Sequence, residues 1–321
     1  MTAKVGKSGA AARFRTIDYL TNPNIIDVDF LTDHLVVIGG SYIGLEFAQM
    51  YRRFGSRVTV VHRGERLVDR EDADVSDSIR EILENEDITV RLNAKCIGFE
   101  KHDNQVAVMA ECAPGPDEIV GSHVLLAVGR LPNTHDLGLE AAGVETNVHG
   151  FITVDDQLAT NVPDIWAIGD ASGRGAFTHT SYNDYEILAA NMFDNDPRRV
   201  SDRITTYGLF IDSPLGRVGM TEIQVRASGR KALIGKMMMT RVGRAKERSE
   251  TQGFMKILID AESERILGAS ILDIGGDEII HSLLDVMYAD APYTVIRRAI
   301  HIHPTVTELI PTMLGDLQPL N

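Results

Sequence analysis

This 321-residue sequence predicts an α/β fold with a parallel sheet, on three observations. Short apolar runs alternate with amphipathic stretches from Leu35 onward, the sign of parallel strand–helix–strand units. A glycine-rich turn separates the first apolar run from the first helical stretch. The composition, 44% hydrophobic and 24% charged, is that of a chain that buries ordinary cores.

The elements follow in order. Residues 35–38 read as a buried strand, 43–54 as a helix, 58–61 as a second strand, 74–83 as an acidic-capped helix and 88–92 as a third strand. Next, "AKCIGFEKHDNQVAVMAE" and "EIVGSHVLLAVG" alternate around a turn at Asp103 and Asn104, which predicts a meander. A shorter region carries a strand at 165–168, ending at "GD", and a helix around 182–193. Strands at 207–211, 231–240, 253–259 and 266–272, with helices near 222–227, 277–288 and 305–314, then predict an α+β domain suited to association. Two or three domains are expected at this length. The divisions fall at 1–33 (a partly disordered N-terminal linker), 34–130, 131–203 and 204–321.

A net charge of −14 and a pI near 5.1 repel phosphate backbones and anionic lipid, so neither nucleic acid nor a membrane is an expected partner. No apolar run approaches the roughly 20 residues that span a bilayer. The start, "MTAKVGKSGAAARF", lacks a signal peptide's apolar segment, and a cytoplasmic location is expected. Cys96 and Cys112, without C-x-x-C spacing, read as reduced, buried or half-buried thiols.

In "HLVVIGGSYIGLEFA", Gly39, Gly40, Ser41, Tyr42, Ile43 and Gly44 occupy the place of a G-x-G-x-x-G turn after a strand, with Ser41 at the middle glycine. The first glycine permits the tight turn, the middle position lets a pyrophosphate approach the backbone, and the last allows helix to pack on strand. The anion would rest on the helix N-terminus. The alternative is a tight turn with no ligand. Against it, the tip of the second strand falls at His62, twenty-three residues past Gly39 and close to the ~20 expected of a ribose-reading position. A carboxylate there binds a ribose 2′-hydroxyl, whereas cations favour the 2′-phosphate of NADP. His62, Arg63 and Arg66 in "HRGER" therefore predict NADP(H), with NAD(H) as the alternative.

Together, "VVIGGSYIGLEFAQMYRRFGSRVTVVHR", "LLAVGRLPNT", "VPDIWAIGDAS" and "HIHPTVTELI" resemble, in order, the flavoprotein disulfide reductases: dihydrolipoamide dehydrogenase, glutathione reductase and mercuric-reductase-like proteins. The resemblance implies a Rossmann-like dinucleotide-binding domain, a returning FAD-domain segment at 131–203 and a C-terminal α+β dimerisation domain. It implies NADPH-dependent, FAD-linked transfer of electrons to a disulfide, metal ion or similar acceptor. Tyr42 then matches an aromatic gate between nicotinamide and flavin, and Glu46 a carboxylate that pairs with a lysine beside the flavin. Gly129 matches the "A-T-G-R" glycine, with Val128 in place of threonine. Asp170 matches a carboxylate that bonds the FAD ribityl chain, and Thr178 lies where the start of the following helix approaches the flavin. His303 matches an acid/base that Glu308 orients, and a homodimer through 204–321 is implied.

The family's leading FAD domain, with its own glycine turn and C-x-x-x-x-C pair, is not matched ahead of Tyr19. Two further expectations follow: a truncated reductase, or one completed by a separate FAD-domain polypeptide, whose returning segment exposes apolar surface or is poorly ordered. The competing reading is a non-catalytic NADP(H)-binding dimer module that cannot hold FAD. A simple two-domain dehydrogenase would explain the glycine turn but leave "GDAS" and "HPTVTE" without a role. His301 and His303 lack a third ligand nearby, and no metal is expected.

Overall fold

The computed structural model describes residues 17–103, 105–111 and 118–320. The N-terminal linker's first sixteen residues, Asn104 of the expected turn, Cys112 and the side chain of Cys96 lie outside the description. The chain divides into two compact units. One comprises residues 17–19, 29–127 and 204–321, the other 20–28 and 128–203. Their boundaries fall three residues before, and at, the divisions expected at 130/131 and 203/204.

The first unit opens with β1 (His34–Ile38), α1 (Tyr42–Phe54), β2 (Arg57–Val61), α2 (Ala73–Asn85) and β3 (Thr89–Arg91). A hairpin of β4 (Lys95–His102) and β5 (Gln105–Glu111) follows, with β6 (Glu118–Gly121) antiparallel to β5. β7 (His123–Leu126) then returns beside β1. The parallel sheet runs β3-β2-β1-β7. Apart from His34, Arg57 and Thr59 its central strands are apolar, with Val36, Val37, Val60, Leu125 and their neighbours buried, because helices cover a parallel sheet. The three apolar runs and two helices expected here are all present, and the meander closes with His102 opposite Gln105.

In the second unit, α3 (Leu139–Ala142) and α4 (Thr178–Ala189) flank irregular chain. Its core is small: Val144, Ile152 and Ala167, packed with Leu139, Val154, Val162, Ile165 and Ala171. The strand expected at 165–168 is a correction: only one bridge forms there, Ala159 to Trp166. No neighbouring run lies alongside to extend it into a ladder. Leu137, Val148, Ile168, Tyr182, Tyr185, Met192 and Phe193 are exposed, the apolar surface anticipated for this segment.

The first unit resumes with β8 (Thr206–Leu209), β9 (Leu215–Gly219), α5 (Glu222–Ala227) and β10 (Ala232–Met238). It continues through α6 (Gly243–Glu247), β11 (Phe254–Asp260), β12 (Ile266–Leu272), α7 (Gly276–Ile279), α8 (His281–Tyr288), α9 (Thr294–Arg297), α10 (Ile310–Met313) and β13 (Gln318–Pro319). The antiparallel sheet is ordered β13-β10-β11-β12-β9-β8. Side chains alternate across a strand, so Met255, Ile257 and Ile259 of β11 join the cluster with Leu283, Ile296 and Ile310. Lys256, between them, points the other way.

Candidate functional site

β1 delivers the chain to Gly39, whose N–H donates to the Val61 carbonyl at 2.9 Å and whose φ of 117° requires glycine. Ser41, extended at φ −118°, stands at the N-cap position of α1 without a side-chain capping bond. A Cβ added at Gly44 would lie 2.1 Å from the Gly39 carbonyl oxygen, so the last glycine is what lets α1 close onto its own turn. The first intrahelical bond runs from Leu45 N–H to Ser41 C=O at 3.0 Å. The N–H groups of Tyr42, Ile43 and Gly44 therefore open the helix at its positive end, an anion cradle. This backbone fits a dinucleotide pyrophosphate.

At the tip of β2 the three expected cationic groups differ. His62 is buried, its Nδ1 accepts the Gly40 N–H at 3.1 Å, and its Nε2 lies 3.3 Å from both Asp69 carboxylate oxygens. It is a strut of the turn. Arg63 is exposed, and Arg66 lies 3.7 Å from Asp77. The sequence reading found no acid at this tip, yet the loop folds Asp69 back to it.

Beside the turn lies a cluster that the sequence reading missed. Tyr42 meets Tyr207 of β8 edge-on, with ring centroids 5.6 Å apart at 78°, and the Tyr207 hydroxyl donates to Glu71 Oε1 at 2.6 Å. Glu71 and Asp72 face the fully buried Arg217 of β9 at 3.8 and 3.6 Å. Burial pushes the Tyr42 phenol up to about 12 and also raises Tyr207 and Glu71, the last despite Arg217 nearby. Lys256 contacts Asp72 at 2.9 Å, Asp74 at 2.7 Å and Glu222 at 3.4 Å. Burial alone would lower that ammonium, but its bonds to Asp74 and Asp72 outweigh it and hold it above the ordinary range. Glu46, expected to seek a lysine, accepts the Phe210 N–H at 3.0 Å.

In the second unit Gly129 has φ 131° and open space where a Cβ would be. The next residue, Arg130, donates to Asp170 Oδ2 at 3.1 Å and to the Ala176 carbonyl at 3.3 Å. The buried Asp184 accepts the Gly169 N–H at 2.8 Å and pairs with Arg203, which fixes the "GD" turn. Thr178 is exposed at the start of α4, behind Phe177 stacked on His179. Among the described residues, no second glycine turn offers an adenosine half its cradle. The glycine turn fits a dinucleotide pyrophosphate, and the described residues do not by themselves make a FAD site.

His303 Nδ1 lies 2.8 Å from Glu308 Oε2 and 3.0 Å from Oε1, with the ring exposed and the carboxylate mostly buried. Thr305 Oγ1 accepts the Glu308 N–H at 3.2 Å, which fixes the carboxylate behind the ring. The pairing leaves the other ring nitrogen, Nε2, on the side away from the carboxylate.

A family model described as pyridine nucleotide-disulphide oxidoreductase matches residues 2–184, and one described as its dimerisation domain matches 205–314. The probable pyridine nucleotide-disulfide oxidoreductase RclA of Escherichia coli (strain K12) is 37% identical over 285 residues, 88% of this chain and 64% of that protein. A mercuric reductase of Streptomyces lividans is 30% identical over 294 residues, covering 92% and 62%. The solved Cu(II) complex of the HOCl-induced flavoprotein disulfide reductase RclA from Escherichia coli superposes with a TM-score of 0.90 at 34% identity. That match covers 98% of this chain and 72% of the other. The chain thus spans less than two thirds of the length of both curated relatives.

Proposed function

Because the chain belongs to the pyridine nucleotide-disulphide oxidoreductase family, we propose that it is the nucleotide-binding and dimer-forming part of an NADPH-dependent, FAD-linked oxidoreductase acting on a disulfide, metal ion or similar acceptor. The observation that carries this is the turn at Gly39 to Gly44, closed tightly enough that Gly44 tolerates no Cβ, with two arginines beyond β2. When bound, NADPH supplies a hydride. The chain's own residues would hold its pyrophosphate on the α1 N–H groups and its 2′-phosphate on Arg63 and Arg66. In the second unit Gly129 would line a nucleotide and Asp170 and Thr178 would face a flavin, and in the first His303, held by Glu308, would move a proton at Nε2. His62 would act indirectly, by bracing Gly40.

Homodimers of this family form through the domain matched at 205–314, and we assign the same association to this chain. The comparisons give a separate FAD-domain polypeptide no support. The second reading is a non-catalytic NADP(H)-binding dimer. Purified protein decides between them. A yellow protein that consumes NADPH with an artificial acceptor supports the reductase, and a colourless one that binds NADPH without turnover supports the module.

A further inference from the structure

We propose that His62 sets this chain's nucleotide choice by holding the Asp69 carboxylate away from the ribose, which leaves Arg63 and Arg66 to read a 2′-phosphate. The proposal rests on the reading that the Gly39 to Gly44 turn holds a nicotinamide dinucleotide. At the tip of the second strand of such a domain a carboxylate binds the ribose 2′-hydroxyl of NAD(H), and the same charge repels a 2′-phosphate. No acid stands at the end of β2 itself, but the loop beyond it delivers one. Leu67 and Val68 are buried, the Val68 N–H donates to the Gly40 carbonyl at 2.8 Å, and Val68 takes φ 45°, a reversal that a β-branched residue seldom makes. Asp69 follows directly and is brought back against the His62 ring.

What the ring does to that carboxylate follows from its other nitrogen. Nδ1 accepts the Gly40 N–H at 3.1 Å, so it carries no proton and the ring's own N–H is on Nε2. Nε2 lies 3.3 Å from each Asp69 oxygen and therefore donates to the carboxylate as a fork. Gly64 closes the pair in, since a Cβ there would lie 2.6 Å from Asp69 Oδ1 and 2.7 Å from His62 Nε2. His62 is buried and Asp69 exposed, so the ring is the fixed partner and the carboxylate the one with room to turn. To bind a ribose hydroxyl, Asp69 must give up the Nε2–H, and affinity for NAD(H) is reduced to the fraction of molecules in which it has done so. His62 acts on the nucleotide only through Asp69 and Gly40, so it is a positioning residue.

The test replaces the two ring nitrogens one at a time and measures NADPH and NADH binding by titration calorimetry. His62→Asn keeps an acceptor in the place of Nδ1 and has nothing at Nε2, which frees Asp69. His62→Gln reaches Asp69 and gives up the Gly40 bond. His62→Asn should lower the NADPH-to-NADH affinity ratio about tenfold or more, the span of a hydrogen bond to a charged group, and adding Asp69→Ala should restore it. His62→Gln should weaken both nucleotides alike and leave the ratio where it was. Asp69→Ala alone, which keeps the ring and its bond to Gly40, should leave NADH affinity unchanged, because a withheld carboxylate reads no ribose. An unaltered ratio in His62→Asn, an equal fall in His62→Gln, a fall that survives Asp69→Ala, or a loss of NADH binding in Asp69→Ala alone would each overturn the proposal. Failure of the unaltered chain to bind either nucleotide would instead overturn the dinucleotide reading, and this role for His62 with it.

Discussion

Lys256 Nζ lies 2.9 Å from Asp72 Oδ2, with both side chains buried, one on β11 and the other at the start of α2. Removing one partner of such a pair leaves an uncompensated charge in a dry place, which costs about 3–5 kcal/mol. Lys256→Met, which strips Asp72, Asp74 and Glu222 of a shared cation, should lower the urea-derived stability by about that amount. A change below about 1 kcal/mol would mean that Lys236, 2.6 Å from Asp74, carries the site alone.

Asp273, after β12, is fully buried. Burial raises its carboxyl to about 7, opposed by the Gly275 N–H and aided by the charge of Asp277. A folded-state value above the unfolded 3.8 means stability that is full below pH 4 and is lost as pH climbs through about 7. Asp273→Asn should therefore flatten the pH dependence of thermal unfolding over that window and stabilise the protein above pH 7, by up to roughly 4 kcal/mol. Parallel profiles for the two proteins would show that Asp273 keeps its ordinary affinity for a proton.

Arg63→Glu should weaken NADPH binding at least tenfold while leaving NADH nearly untouched, and adding Arg66→Glu should deepen that split. Titration calorimetry with both nucleotides checks this. Equal losses would place the 2′-phosphate elsewhere, and a large gain in NADH would point to Asp69 as the ribose reader.

Gly44→Ala sets a methyl 2.1 Å from the Gly39 carbonyl oxygen. It should abolish binding of both nucleotides and cost a few kcal/mol of stability, the usual cost of overpacking. Retained binding in a folded variant would remove the turn from the site.

His303→Gln should leave NADPH and 2′,5′-ADP affinities unchanged, since the ring pairs with Glu308 and contacts no cradle residue. Its effect should fall on turnover with a thiol or disulfide acceptor. A cofactor-binding defect would show that its role had been misassigned.

Local pattern carried the parallel sheet, because a strand buried on both faces is apolar throughout and a glycine turn announces the helix after it. The same logic fails at β9: "LGRVG" is short, glycine-rich and centred on an arginine, which marks a surface loop until Glu71 and Asp72 arrive from well over a hundred residues away to surround it. Long-range closure also explains Asp69, seven residues beyond His62 in sequence yet against its ring, and Glu46, whose partner is the backbone of Phe210. The helix expected at 277–288 breaks after Ile279 into α7 and α8, which no capping residue in the sequence announces. His303 and Glu308, five residues apart, were legible because their meeting is local.

Asp72 does one thing more: its two oxygens accept the N–H groups of Glu222 and Ile223, at 3.2 and 3.4 Å, at the head of α5. A helix start near residue 222 is thus finished by a side chain from the nucleotide-binding half. Neither half can be cut out as a tidy fragment, because excision strands a buried carboxylate on one piece and bare amides on the other. Heated or stretched, residues 29–127 and 204–321 should give way in a single step.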